Sequence, residues 1–283
     1  METKYELITT SATIDHNGVK LYRIRALKNI ADRVKAGDIG GYVESISNLS
    51  QDGLCWLYND SKAYGNAKIS GDCYIYNDCE IYGNAQVYGD VILTNNVRVF
   101  DDARVYGMAN ICDSVEIYGN AQVYGNSYIY GGSQIYGNAT VKDDVRIYND
   151  VQIYGNATVS ENAIVMSNVK IYGNAMVNGS AHILDNAQVY GSAYITDNVM
   201  VYNNAQVYDS ATISGSVSIH GDAKVYGNAV LSDYSNVFGR AKIYGDAKIG
   251  KYSSISGSVE AYGSVSITKN NYHNKELLII GDK

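Results

Sequence analysis

The chain has 283 residues, with 28 Tyr, 28 Gly, one Trp, two Phe and no Pro, and a formal net charge of −7. So much Tyr and Gly without Pro points to a tandem pattern, and an acidic balance with both signs interspersed argues against nucleic acid as a partner. No apolar run of roughly 18 residues occurs, which excludes an apolar spanning helix and predicts no membrane partner.

Residues 1–54 carry no period and predict a small β-rich N-terminal cap. Strand-like Tyr5–Ile14 and Val19–Leu27 flank Asp15-His16-Asn17-Gly18, a hairpin-turn signal. The start, Met1-Glu-Thr-Lys-Tyr-Glu, lacks the charged and apolar regions of a signal peptide. Among Cys55, Cys73, Cys79 and Cys112 no Cys-x-x-Cys pair occurs, so metal-site and redox spacings are missing. A cytoplasmic chain with reduced thiols is expected, with no metal and no cofactor.

Residues 55–270 are governed by a period of six. From Leu57 to Ile267 in steps of six, 34 of 36 positions are Val, Ile or Leu, with Ala63 and Ala261 the exceptions. From Ser61 to Val265 all 35 positions are Ala, Val, Ser or Cys. The large residue and the small one before it are two apart, so they share one face of a strand. Between them fall Gly-Asn, Gly-Asp, Asn-Asp and Asp-Asn pairs, residues that tolerate the left-handed backbone of a sharp corner. Aspartates such as Asp60, Asp72, Asp78, Asp90, Asp143, Asp144 and Asp150 read as this turn chemistry. Six residues suit one short side and one bend, so three units close a triangular coil of 18. The expectation is an all-β, single-stranded parallel β-helix of about twelve coils, a rod about 55–60 Å long. Cys73 and Cys79 take inward small positions and read as core. Beyond Ile267 the period breaks; residues 271–283 form a capping tail in which Glu276–Ile280 could cover the last coil.

An aliphatic residue followed four positions later by a small one is similar to the hexapeptide-repeat proteins, and that resemblance implies a left-handed helix. Right-handed helices of the bactofilin kind also use short sides. Val34-Lys-Ala-Gly37, Gly40-Gly41, Leu49-Ser-Gln51, Gly53, Cys55-Trp56 and Tyr58 resemble the cap signature of the bacterial YdcK family. Its members are β-helix proteins, often labelled transferases from fold alone, so an activity label would rest on fold analogy.

Sorting outward positions by 18 separates three sides. One column is wholly aromatic: Tyr64, Tyr82, Phe100, Tyr118, Tyr136, Tyr154, Tyr172, Tyr190, Tyr208, Tyr226, Tyr244 and Tyr262. Long polar residues stand two before each, and stacked rings gain from offset contacts, so a structural ladder is expected, with a track for sugars, bases or a protein as the alternative. A second side carries Trp56, Tyr58, Tyr74, Tyr76, Ile92, Tyr128, Tyr130, Tyr148, Ile164, Met166, Leu184, Met200, Tyr202 and Phe238. Repeated outward Ile, Met and Leu predict an interface with another copy, as a homodimer or homotrimer. The third side is small and polar in its later half, from Thr140 and Lys142 to Ser232, but Met176, Tyr194 and Val230 break any flat Thr array of the ice-binding kind.

Phosphate-binding loops and nucleophile motifs are absent. The hexapeptide resemblance implies a histidine base at a subunit groove, and His182 and His220 face outward on the apolar side. Neither has a carboxylate in its own column, and the unbroken register leaves no loop to shape an acyl-donor pocket. The favoured reading is therefore a non-catalytic scaffold, protein-binding surface or inhibitor that self-associates along its apolar side. The alternative is a hexapeptide-type acyltransferase working at a subunit interface.

Overall fold

The computed structural model describes residues 3–16, 18–269 and 271–281. Strand β1 (Tyr5–His16) and strand β2 (Val19–Ala26) form an antiparallel hairpin running from His16↔Val19 to Tyr5↔Ala26, with a bulge between Ile8 and Thr13. At its turn Gly18 has a φ of 78° and donates its N–H to Asp15 Oδ1 at 2.9 Å. Asn17, the third residue of the turn signal, lies outside the described residues. Strand β3 (Ile39–Val43) pairs antiparallel with β2 and parallel with Lys62–Ala63. It therefore converts the hairpin sheet into the parallel stack. Leu49 continues the transition with a parallel bridge to Ile69.

From Trp56 onward most strands are only two to four residues long, and they pair in parallel. Two compact units are present, Met1–Gly137 and Asn138–Lys283. In the first, three stacks run Trp56↔Tyr74↔Ile92↔Asn110↔Tyr128, Lys62↔Glu80↔Arg98↔Glu116↔Gln134 and Lys68↔Gln86↔Arg104↔Gln122. In the second, the same columns run from Arg146 to Ser254, from Gln152 to Glu260 and from Thr140 to Ser266. Partners in these stacks are 18 residues apart, which requires three six-residue sides per coil. The protein is thus an all-β parallel solenoid, and no helix occurs among the described residues. The segment expected to cover the last coil lies inside the strand Asn271–Gly281, paired in parallel with Ser254–Tyr262.

Alternation explains the core. The large aliphatic column from Leu57 to Ile267 is buried throughout, and the small column is buried from Ser61 to Val259. Outward residues between them donate their backbone N–H to the next coil, as Lys62 does to Cys79 O at 2.8 Å and Tyr64 to Ile81 O at 3.0 Å. Ladder bonding of this kind satisfies the backbone that a buried sheet would otherwise leave unpaired.

Corners follow from the pairs between the columns. Gly71 has a φ of 78°, and a Cβ there would lie 2.6 Å from the backbone N of Gly89 in the next coil. Aspartate takes the same left-handed place elsewhere and adds a bond: Asp101 accepts the Gly119 N–H at 3.1 Å and Asp197 the Gly215 N–H at 2.8 Å. Asparagine amides run along the corners as chains, Asn66 to Asn84 to Asp102 in the first unit and Asn138 to Asn156 to Asn174 in the second. Corners in these chains are thereby fastened to the next by side-chain as well as backbone bonds.

Candidate functional site

The ladder side is built from one aromatic ring per coil, a tyrosine everywhere but at Phe100. In the first unit Tyr64, Tyr82, Phe100, Tyr118 and Tyr136 stack with centroids 4.9–5.0 Å apart and planes within 4°. In the second, Tyr154 to Tyr244 stack at 4.7–4.9 Å, with Tyr262 at 5.2 Å. This spacing equals the strand spacing, so each ring face is covered by the next ring. A sugar or base therefore has no free ring face to stack on along the row; the side offers ring edges and hydroxyls. Burial, then the neighbouring Tyr190 and Tyr226, pushes the Tyr208 phenol up to about 12. Beside the rings runs a charged row: Lys62 Nζ lies 3.1 Å from Glu80, Arg98 pairs with Glu116, and Lys242 Nζ lies 2.8 Å from Glu260. Tyr244 also donates to Glu260 at 3.2 Å, and these bonds hold the Glu260 carboxyl below its ordinary pKa.

A second ladder escaped the sequence reading. Tyr88, Tyr106 and Tyr124 stack at 4.9 and 4.6 Å on the side whose later half is small and polar. Reading the third column from residue 70 onward would have shown it.

The apolar side differs between its members. Trp56 does not lie on a free surface as expected: it is 1 % exposed, with Tyr5 edge-on at 6.2 Å. Gly40 makes this possible, since a Cβ there would fall 2.6 Å from the indole. Tyr58 stacks on Tyr76 at 4.2 Å and the Arg33 guanidinium sits over Tyr74 at 4.6 Å. Ile92 and Tyr128 are half-buried and Tyr130 is exposed. In the second unit Ile164, His182 and Met200 are adjacent rungs, and Tyr148 is paired with Met166. Met200 is 41 % exposed, while Ile164, Met166, Leu184 and Tyr202 are half-buried.

Both outward histidines sit on this side. His220 lies between two rings, Tyr202 at 4.6 Å and Phe238 at 4.9 Å, with planes within 9°. Burial lowers its pKa, and interaction with the Asn236 side chain opposes that shift. His182 borders a cleft of about 310 Å³ lined by Asp144, Arg146, Asn162, Ile164 and Ser180. Among the described residues no three His, Cys, Asp or Glu side chains gather as a metal site.

Four segments, residues 133–149, 151–166, 169–185 and 205–221, match the family model described as YdcK Beta solenoid repeat. The chain carries YdcK-type β-solenoid repeats. No curated protein matches it at a significant level. Each matched YdcK repeat is about one coil long, and together they contain Ile164, Met166, His182 and Leu184 of the apolar side. The cap residues that resemble the YdcK signature lie outside the matched segments and have local packing roles. Gly37 takes a φ of 95°, Gly41 approaches Ser61 O so closely that a Cβ would stand 2.4 Å from it, and Gln51 Oε1 accepts the Lys4 N–H at 2.7 Å.

Proposed function

We propose that this YdcK-type solenoid is a non-catalytic scaffold or protein-binding surface that self-associates through its apolar side. The observation that carries the reading is the run of rungs in the second unit where Ile164 and Met200 flank His182 and Met166 and Leu184 stand alongside. Outward Met, Ile and Leu in register make a flat apolar strip, and burying it against a second copy would release the water it orders. The covered ring faces of the tyrosine ladder support a structural part for that side.

Replacing Met200 by Glu places a charge in the strip, whereas Thr212→Glu places one on the polar side. Sedimentation should show the first variant dissociating and the second behaving as the unaltered chain. Equal masses for all three would remove the apolar strip from consideration.

The second reading, an acyltransferase, draws on one observation, the cleft beside His182 with Arg146 and Asp144. An arginine there would suit a phosphate-bearing acyl carrier, and the imidazole would accept an acceptor's proton. Saturable thermal stabilisation by coenzyme A, abolished in His182→Ala, would favour this enzyme over the scaffold; no shift at millimolar ligand favours the scaffold.

A further inference from the structure

Beneath the first coil lies a contact that neither the repeat nor the ladders use. Lys4 is 1 % exposed although it carries an ammonium group. Its Nζ donates to Asp52 O at 3.2 Å, Gly53 O at 3.3 Å and Cys55 O at 3.1 Å, and stands 3.3 Å from the Cys55 sulfur. Cys55 is itself fully buried. Both ends of this contact are held from the backbone. The Lys4 N–H is fixed by Gln51 Oε1 at 2.7 Å, and its carbonyl accepts the Leu27 N–H at 2.9 Å. The Cys55 N–H is bonded to Gly71 O at 3.0 Å. Burial and the three carbonyl acceptors hold the Lys4 amine against the thiol at close to van der Waals distance.

We propose that Lys4 and Cys55 form an oxidative modification site, at which dioxygen joins Nζ to Sγ through one bridging oxygen. The ammonium first releases a proton to solvent. The neutral amine and the thiol then each lose one hydrogen, and one oxygen atom becomes the S–O–N bridge. The second oxygen leaves as water with those two hydrogens. Sulfur and nitrogen are each oxidised by two electrons, and dioxygen takes up all four. The bond joins the entry to β1 with the first coil, 51 positions along the chain. Burial raises the Cys55 thiol and the nearby ammonium draws it back, so the thiol is shielded from bulk reagents yet faces an amine.

The other inward cysteines provide an internal comparison. Cys73 Sγ meets the carbonyls of Ser70 and Gly89 at 3.1 and 3.4 Å, and Cys79 Sγ meets Tyr76 O at 2.9 Å. Carbonyls offer no nitrogen to bridge, so these thiols should stay unmodified or climb the ordinary sulfur oxidation series.

The full chain, kept reduced or incubated under oxygen, is to be compared by intact mass and by peptide mapping with a protease that does not cleave at lysine. The expected product gains one oxygen and loses two hydrogens. It joins the peptides containing Lys4 and Cys55, and it returns to the reduced mass with dithiothreitol. Cys55→Ala should abolish the joined peptide. If that variant does not fold, the mapping of the unaltered chain decides alone. Unchanged mass under oxygen, a whole added oxygen with no joined peptide, or a modification mapped to Cys73, Cys79 or Cys112 would each overturn the proposal.

Discussion

At the scale of single residues the solenoid depends on its corners and on the small inward column. Gly71 combines a left-handed backbone with a Cβ position 2.6 Å from Gly89 N, so Gly71→Ala should cost roughly 2–4 kcal/mol in denaturant unfolding. Ser235 offers the opposite case. Its hydroxyl is buried at an inward position where most coils carry Ala or Val, and it has no hydrogen-bond partner. Ser235→Ala should therefore stabilise by about 1 kcal/mol; an equal loss would mean that the hydroxyl is satisfied after all. The inward columns were legible because burial in a two-residue strand leaves only alternation to read. Trp56 was not. Its outward place in the six-residue period is overridden by Tyr5, some fifty positions away, and by the missing side chain of Gly40. No periodicity encodes such a contact. Corner aspartates were legible as turn formers, but their bonds to the next coil became visible only with the register.

At the scale of elements, the ladder is the feature in which sequence columns and structure agree most closely. Tyr190 stacks on Tyr172 at 4.8 Å and on Tyr208 at 4.7 Å. A double-mutant cycle between Tyr190→Ala and Tyr208→Ala should give a coupling of about 0.5–1.5 kcal/mol, and a coupling near zero would reduce the row to coincident packing. Burial also raises the phenols of Tyr172, Tyr190, Tyr208 and Tyr226. An acid whose pKa is raised on folding contributes stability that is fully present below its unfolded pKa, about 10 for Tyr, and lost as pH rises through the folded value. Stability should thus decline between pH 10 and the value of about 12 reached by Tyr208, and Tyr190→Phe with Tyr208→Phe should flatten that decline. Glu260 behaves in the opposite sense. Its carboxyl is lowered by Lys242 and Tyr244, so its contribution is present at neutral pH and lost as pH falls below the carboxylate range. The junction at β3 was not legible, because Tyr42 and Lys62 are twenty residues apart and Lys62 and Glu80 eighteen, and that two-residue slip hides the first parallel pairing from a period of six.

At the scale of the molecule, nearly every contact in the repeat is with the coil before or after, so stability should accumulate coil by coil. Deleting residues 163–180 removes one coil of the second unit and restores every column, so a cooperative transition at slightly lower denaturant is expected. Deleting nine residues, 163–171, takes the inward columns out of register with the preceding coils, so a smaller unfolding amplitude, carried by the coils before the deletion, is expected. The same regularity explains why fold was readable and activity was not: a repeat fixes which residues face out, whereas a partner is chosen by what those residues meet. Self-association through the apolar strip is the central claim, and sedimentation equilibrium of the unaltered chain from low to high micromolar concentration tests it most directly. A mass of two or three times 30.8 kDa is predicted, and a monomer mass at every concentration would contradict it.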